Sequence, residues 1–115
     1  MKVRGVFSNT DSLREFAAGS VIFSEGDTGE EMFGVVEGEV QVRTHNGHTY
    51  NLGPDETFGE MAIIDHTVRS ASVTALVDTK LAVINRQRFL FLVHETPMFA
   101  LQVMSSLASK VRAGD

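Results

Sequence analysis

Turn-forming residues interrupt this chain every eight to twelve positions as far as about residue 85, and there the pattern stops. The interruptions are "AAGS", "EGDTGEE", "VEGEV", "HNGHT", "LGPDET" and "LVDTK". Between them lie short β-rich runs, "SVIF", "MFGVV", "VQVRT", "TYNL", "RSASVTA" and "KLAVIN". Short strands at such regular spacing predict an all-β sandwich or barrel. In "EVQVRTHNGHTYNL", Val40 and Val42 alternate with polar neighbours, and Asn46-Gly47 offers the residues of a type I′ hairpin turn. Gly26, Gly38 and Gly53 read as turn residues at positions where positive φ is useful, and Asp27 as a turn carboxylate.

Beyond Asn85 the period becomes helical. "RQRFLFLVHE" predicts a short helix over 86–94 with Asn85 as its N-cap, and Thr96-Pro97 a second helix start, running over 97–112. Leu101, Met104, Leu107, Ala108 and Val111 form one apolar stripe on it, read as packing against the barrel, with a lid or dimer contact as the other use. The first dozen residues are left as coil or a short helix around "DSLREF". The predicted fold is mainly β with C-terminal helices: a jelly-roll-like β-barrel (double-stranded β-helix) over about 13–85, then two helices, all in one domain of 115 residues.

The composition narrows the function classes. With no cysteine, neither a disulfide framework nor a thiolate zinc site can form. The net charge is −5 and the basic residues are scattered, which argues against direct nucleic-acid binding. No apolar run approaches the roughly 20 residues of a membrane span, and "MKVRGVFSNTDS" lacks the apolar core of a signal peptide. The expected location is cytoplasmic.

One residue breaks the strand logic. In "RSASVTA", Arg69 shares its parity with Ala71, Val73 and Ala75, so a guanidinium is expected on the apolar face. A charge there is costly unless paired. Glu60, nine positions earlier, is one candidate partner, and an anionic ligand is the other. Gly59 leads through Glu60 into the apolar helical piece Met61-Ala62-Ile63, and a glycine turn feeding a helix start presents backbone N–H groups to an anion. Arg69 could close the other side with a forked pair of bonds. A carboxylate beside an anion makes sense if the ligand also carries a hydroxyl. One phosphate and one ribose together describe a nucleotide.

"FGEMAIIDHTVRSASVTA" resembles the phosphate-binding cassette of the cyclic nucleotide-binding domain family, which includes sensor domains of the catabolite activator protein and of cyclic AMP-dependent protein kinase regulatory subunits. The matching residues are Phe58, Gly59, Glu60, Met61, Ala62, Ile63, Arg69, Ser70, Ala71, Ser72 and Val73. Upstream, "AAGSVIFSEGDTGEEMFGVVEGEVQV" is similar to the same family at Gly19, Ile22, Phe23, Glu25, Gly26, Asp27, Phe33, Gly38, Val40 and Val42. The resemblance covers about 13–112. It implies that Glu60 accepts from the ribose 2′-hydroxyl and that Arg69 pairs with the cyclic phosphate. It also implies that Gly59, Ala62 and Ser70 offer N–H groups, the Ser70 hydroxyl being a further donor. Met61, Ala71 and Val73 are expected in the ligand site, with Met61 and Val73 against the sugar or base, and the last helix as a lid.

The function expected is a stand-alone regulatory module that binds cyclic AMP, with cyclic GMP as the other ligand. No cofactor, metal or catalytic residue is expected. The DNA-binding, kinase and channel modules of the family have no counterpart in these 115 residues, so a protein effector on another chain and a monomer or weak homodimer are expected. The alternatives are a degenerate barrel that binds only protein, in which Glu60 and Arg69 form a plain ion pair, and a cupin-type metal enzyme. His45 and His48 straddle a turn, which is the wrong spacing for the latter. His66 and His94 are expected at the surface.

Overall fold

The computed structural model describes residues 12–65 and 67–112. Eight strands are found there: β1 (Leu13–Phe16), β2 (Val21–Phe23), β3 (Glu31–Glu37), β4 (Val40–Thr44), β5 (Thr49–Leu52), β6 (Thr57–Phe58), β7 (Ala71–Ala75) and β8 (Thr79–Asn85). Three helices accompany them: α1 (Met61–Ile64) between β6 and β7, then α2 (Arg86–Glu95) and α3 (Met98–Arg112). The strands make two antiparallel four-stranded sheets, in the orders β1-β8-β3-β6 and β2-β7-β4-β5. The arrangement is jelly-roll-like, and the two sheets stay separate instead of closing into one barrel.

Alternation along β3 and β8 explains the two cores. Phe33, Val35 and Leu81 point between the sheets and pack with Val40, Val42, Leu52, Phe58 and Val73. Met32, Val36, Ala82 and Ile84 point the other way, toward Ile63 of α1, Leu92 of α2, and Phe99 and Val103 of α3. Because both faces of β3 are covered, "MFGVV" reads as a continuous apolar run. Asn85 caps α2, its side chain accepting from the Arg88 amide at 2.7 Å.

Several expectations need correction. The segment around "DSLREF" forms an edge strand from Leu13 to Phe16 paired with β8, and Asp11 lies outside the described residues. The hairpin turn is not type I′. Gly47 has φ +85° but Asn46 does not have positive φ, and the turn is closed by the Gly47 amide donating to the Thr44 carbonyl. In "LGPDET" the positive φ falls on Asp55, not Gly53. Strand β7 begins at Ala71, so Arg69 precedes it. The apolar stripe of α3 is not core: Leu101 (55 % exposed), Met104 (57 %), Val111 (74 %) and Ala108 are exposed, and only Leu107 is partly buried. The packing residues are Phe99 and Val103, on a second stripe the helix carries beside the first.

Gly38, between β3 and β4, is a position where glycine is required. Its φ is +99°, and a Cβ there would lie 2.7 Å from the Asp78 carbonyl oxygen and from the Thr79 Cα. Those are backbone atoms that cannot swing aside. Gly38→Ala should therefore cost about 2–4 kcal/mol in urea unfolding, from positive-φ strain plus overpacking. A loss well under 1 kcal/mol would show that this corner yields freely.

Candidate functional site

The site begins where β6 ends. Gly59 turns the chain with φ +80°, and Glu60 opens α1 in a helical conformation without capping it by its side chain. The carboxylate is thereby free to turn inward, where it is 1 % exposed. Its Oε1 accepts from the Lys110 ammonium of α3 at 2.6 Å, and its Oε2 has no partner among the described residues. The Ala62 amide reaches the Gly59 carbonyl at 3.3 Å, a long contact.

Arg69 is 7 % exposed and is held by its backbone first. Its amide donates to the Asp27 carbonyl and its carbonyl accepts from the Gly26 amide, both at 2.8 Å. That turn is itself braced: the Asp27 carboxylate accepts from the Ser24 amide, and the Ser72 hydroxyl from the Glu25 amide, each at 2.9 Å. Asp27 is thus a turn carboxylate, as its sequence context suggested. The guanidinium lies 4.1 Å over the Phe23 ring and 5.8 Å from that of Phe33, and Nη1 donates to the Gly59 carbonyl at 3.3 Å. Gly29 leaves room for it, since a Cβ there would sit 2.6 Å from the guanidinium. Burial lowers the pKa of Arg69 below the ordinary arginine value, and the charges of Glu31 and Asp27 act in the opposite direction. No carboxylate forms a salt bridge with Arg69 among the described residues. The plain Glu60–Arg69 ion pair of the degenerate-barrel reading is therefore absent: Glu60 pairs with Lys110 instead.

Both charges line one cleft of about 470 Å³. Gly59, Glu60, Met61 and Ala62 form one wall, and Arg69, Ser70, Ala71 and Val73 another, so all eight residues expected in the site meet there. The cleft also includes residues that sequence reading did not place. Phe23, Val42, Thr44, His45, Asn46 and Tyr50 line it from β2 and the β4–β5 hairpin, and Leu107, Lys110 and Val111 form an α3 wall. Lys110 had a signal in the sequence: it follows Phe99, Val103 and Leu107 at helical spacing, on the stripe that faces the protein. His45 and His48 are both exposed, and no metal-binding cluster occurs among the described residues. His94 is exposed beside Glu95, 2.9 Å away, and His66 lies outside the described residues.

The site connects to both terminal helices. Lys110 ties α3 to Glu60. Arg86, the first residue of α2, donates through Nη1 to the Ile63 carbonyl at the end of α1, at 2.9 Å.

Comparison with known proteins places the chain in one family. A family model described as the cyclic nucleotide-binding domain matches residues 13–96. The cyclic AMP receptor protein of Thermus thermophilus is 37 % identical over 107 residues, covering 89 % of this chain and 50 % of that protein. A cyclic nucleotide-gated potassium channel of Mesorhizobium japonicum is 41 % identical over 87 residues, covering 76 % of this chain and 24 % of the channel. The crystal structure of the Thermus thermophilus catabolite activator protein superposes with a TM-score of 0.76 at 37 % identity, covering 90 % of this chain and 51 % of that one. The chain thus spans about half the length of the first relative and about a quarter of the second. No helix among the described residues is long and apolar enough to cross a membrane.

The Glu60–Lys110 pair makes a quantitative prediction. Lys110→Met leaves a buried carboxylate without a cation and should lower the unfolding free energy by about 3 kcal/mol. Adding Glu60→Gln to that variant should recover more than half of the loss. A denaturation double-mutant cycle checks it, and additive losses would contradict the pairing.

Proposed function

The chain belongs to the cyclic nucleotide-binding domain family, and from that premise we propose that it binds one cyclic nucleotide in the cleft between the cassette, the β4–β5 hairpin and α3. The observation that carries the reading is a buried guanidinium with no carboxylate partner among the described residues, sharing a cleft with a buried carboxylate that has one oxygen unpartnered among them. A cyclic phosphate supplies the anion that Arg69 lacks, and a ribose 2′-hydroxyl supplies the donor that Glu60 Oε2 lacks. Gly59, Ala62 and Ser70 would add N–H donors around the phosphate, and Met61, Ala71 and Val73 would lie along the sugar and base. This is a binding module and not an enzyme. The receptor-protein relative and the family resemblance favour cyclic AMP, with cyclic GMP as the second ligand.

The proposed output is a population shift in the helices. Ligand drawn against Arg69 would reposition α1, and the Arg86–Ile63 bond and the Lys110–Glu60 pair would carry that change into α2 and α3. A ligand can do this only through different affinities for the two arrangements. A protein effector reading the helices, with the module as a monomer or weak homodimer, completes the proposal.

Calorimetric titration after denaturing and refolding, to strip co-purified ligand, tests the binding. The expected result is saturation near one nucleotide per chain, weakened by about 2–5 kcal/mol in Arg69→Ala, the usual effect of truncating one side of a buried charge contact. A variant that binds as well as the parent would remove the phosphate site. Hydrogen exchange tests the output: saturating ligand should change amide protection within 86–112. Arg86→Ala should keep binding within a few fold while losing the change in α2. Protection that is the same with and without ligand would sink the switch.

A further inference from the structure

A second cavity, of about 410 Å³, adjoins the cleft and is lined by β5, β6 and α3. Helix α3 contributes Gln102, Ser105, Ser106 and Ser109, which recur at helical spacing as one polar stripe. Tyr50 and Lys110 line both spaces, whereas Thr57, Gln102 and Ser106 line only this one. Its volume falls within the range of small-molecule sites, about 300–1,000 Å³.

Thr57 is the residue there that the fold does not explain. It is 1 % exposed, and its hydroxyl has no hydrogen-bond partner among the described residues. Its neighbour Phe58 packs between the sheets, so Thr57 points to the opposite face, toward the helices. Gly34, opposite it on β3, presents no side chain that could bond it. An unpaired buried hydroxyl is costly, and valine would fill the same volume without that cost. Buried polar groups are nearly always paired, so this one calls for a partner that the chain itself does not supply.

The rest of the lining indicates the chemistry of that partner. Asn51, Gln102 and Ser106 also have no side-chain hydrogen bond among the described residues. Amides and hydroxyls both donate and accept, and the groups that match them are hydroxyls, which do the same. The charges around the cavity favour an uncharged ligand. Lys110 is already held by Glu60 at 2.6 Å, and Glu56 is exposed to solvent. Tyr50 and Leu52 add apolar surface for the face of a ring. We propose that this cavity is a second ligand site, which takes an uncharged sugar or cyclitol of monosaccharide size through Thr57, Gln102 and Ser106. The inference goes beyond the cyclic nucleotide reading and does not depend on it.

The test is a titration of the isotope-labelled full chain with D-glucose, D-galactose, D-ribose and myo-inositol at millimolar concentration, read by amide chemical shifts. At least one probe should give saturable shifts at Thr57, Gln102 and Ser106. Thr57→Val should weaken that binding about tenfold, the scale of one hydrogen bond. Without any probe, Thr57→Val should leave the urea-unfolding midpoint unchanged or raise it, since no internal partner is lost. A lowered midpoint would show that the hydroxyl is satisfied within the fold, and would overturn the inference. So would the absence of saturable shifts with all four probes, or saturation that Thr57→Val does not weaken. Shifts confined to Gly59, Ser70 and Ala71 would place the probe in the nucleotide cleft and overturn it as well. Failure of cyclic AMP to bind would leave the expected shifts at Thr57, Gln102 and Ser106 in place, so the two readings fail separately.

Discussion

A guanidinium buried without a carboxylate partner is the constraint around which the rest of the molecule is arranged. Arginine keeps its charge even where burial disfavours it, so the surroundings must carry the cost. At Arg69 they do so indirectly. Phe23 presents its ring face at 4.1 Å, Gly59 offers a carbonyl at 3.3 Å, and Gly29 gives up a side chain to make room. Asp27 and Glu31 contribute their charge from a distance. None of these is the forked acceptor that a guanidinium fits best. The "EGD" turn does not line the cleft, yet its Gly26 amide and Asp27 carbonyl hold the Arg69 backbone at 2.8 Å on either side. The position of the charge is fixed by main-chain bonds before any ligand arrives, which limits the ordering cost left for binding.

Glu60 follows the opposite logic. It is more deeply buried than Arg69 but has a partner, and the partner comes from a helix at the far end of the chain. Had Glu60 and Arg69 neutralised each other, the cleft would need nothing further. Pairing Glu60 with Lys110 leaves Glu60 and Arg69 as separate charges in one cleft, the space proposed for an anion carrying a hydroxyl. It also gives α3 a stake in the site, as the Arg86 contact with Ile63 gives α2 one.

The turn spacing made most strands legible. β4 and β5 have the boundaries the sequence suggests, and the switch to helical period at Asn85 coincides with a real N-cap. What failed has physical reasons. Leu13–Phe16 has two apolar residues around a charged pair, too little alternation to announce an edge strand that depends on pairing with β8. In α3, the stripe through Leu101 and Met104 and the stripe through Phe99 and Val103 both recur at helical spacing, and periodicity cannot decide which one meets the sheets. Choosing the outer stripe hid Lys110, because a lysine in the last turn of a helix ordinarily reads as a solvated charge favoured by the helix dipole. The eight cassette residues were legible as a group because they fall in one short segment, 58–73, whose resemblance to the family's cassette can be seen without knowing the fold. The α3 wall and the hairpin wall come from distant segments, and no local spacing encodes those.

The three walls of the cleft differ in what holds them. The cassette wall is fixed by backbone bonds through Arg69, and the hairpin wall by the β4–β5 ladder and the closed turn at Asn46. The α3 wall rests on less. Phe99 and Val103 anchor its first half in the core, whereas toward its end Val111 is mostly exposed and the named polar tie to the cassette is Lys110. Regions with few buried contacts open most readily. Opening of the cleft is therefore expected at the C-terminal half of α3, and the ion pair that restrains it involves the carboxylate proposed for the ribose. A ligand hydroxyl, as proposed, would take Oε2, which has no partner among the described residues, and leave Oε1 to Lys110, so the two contacts would not compete for one oxygen.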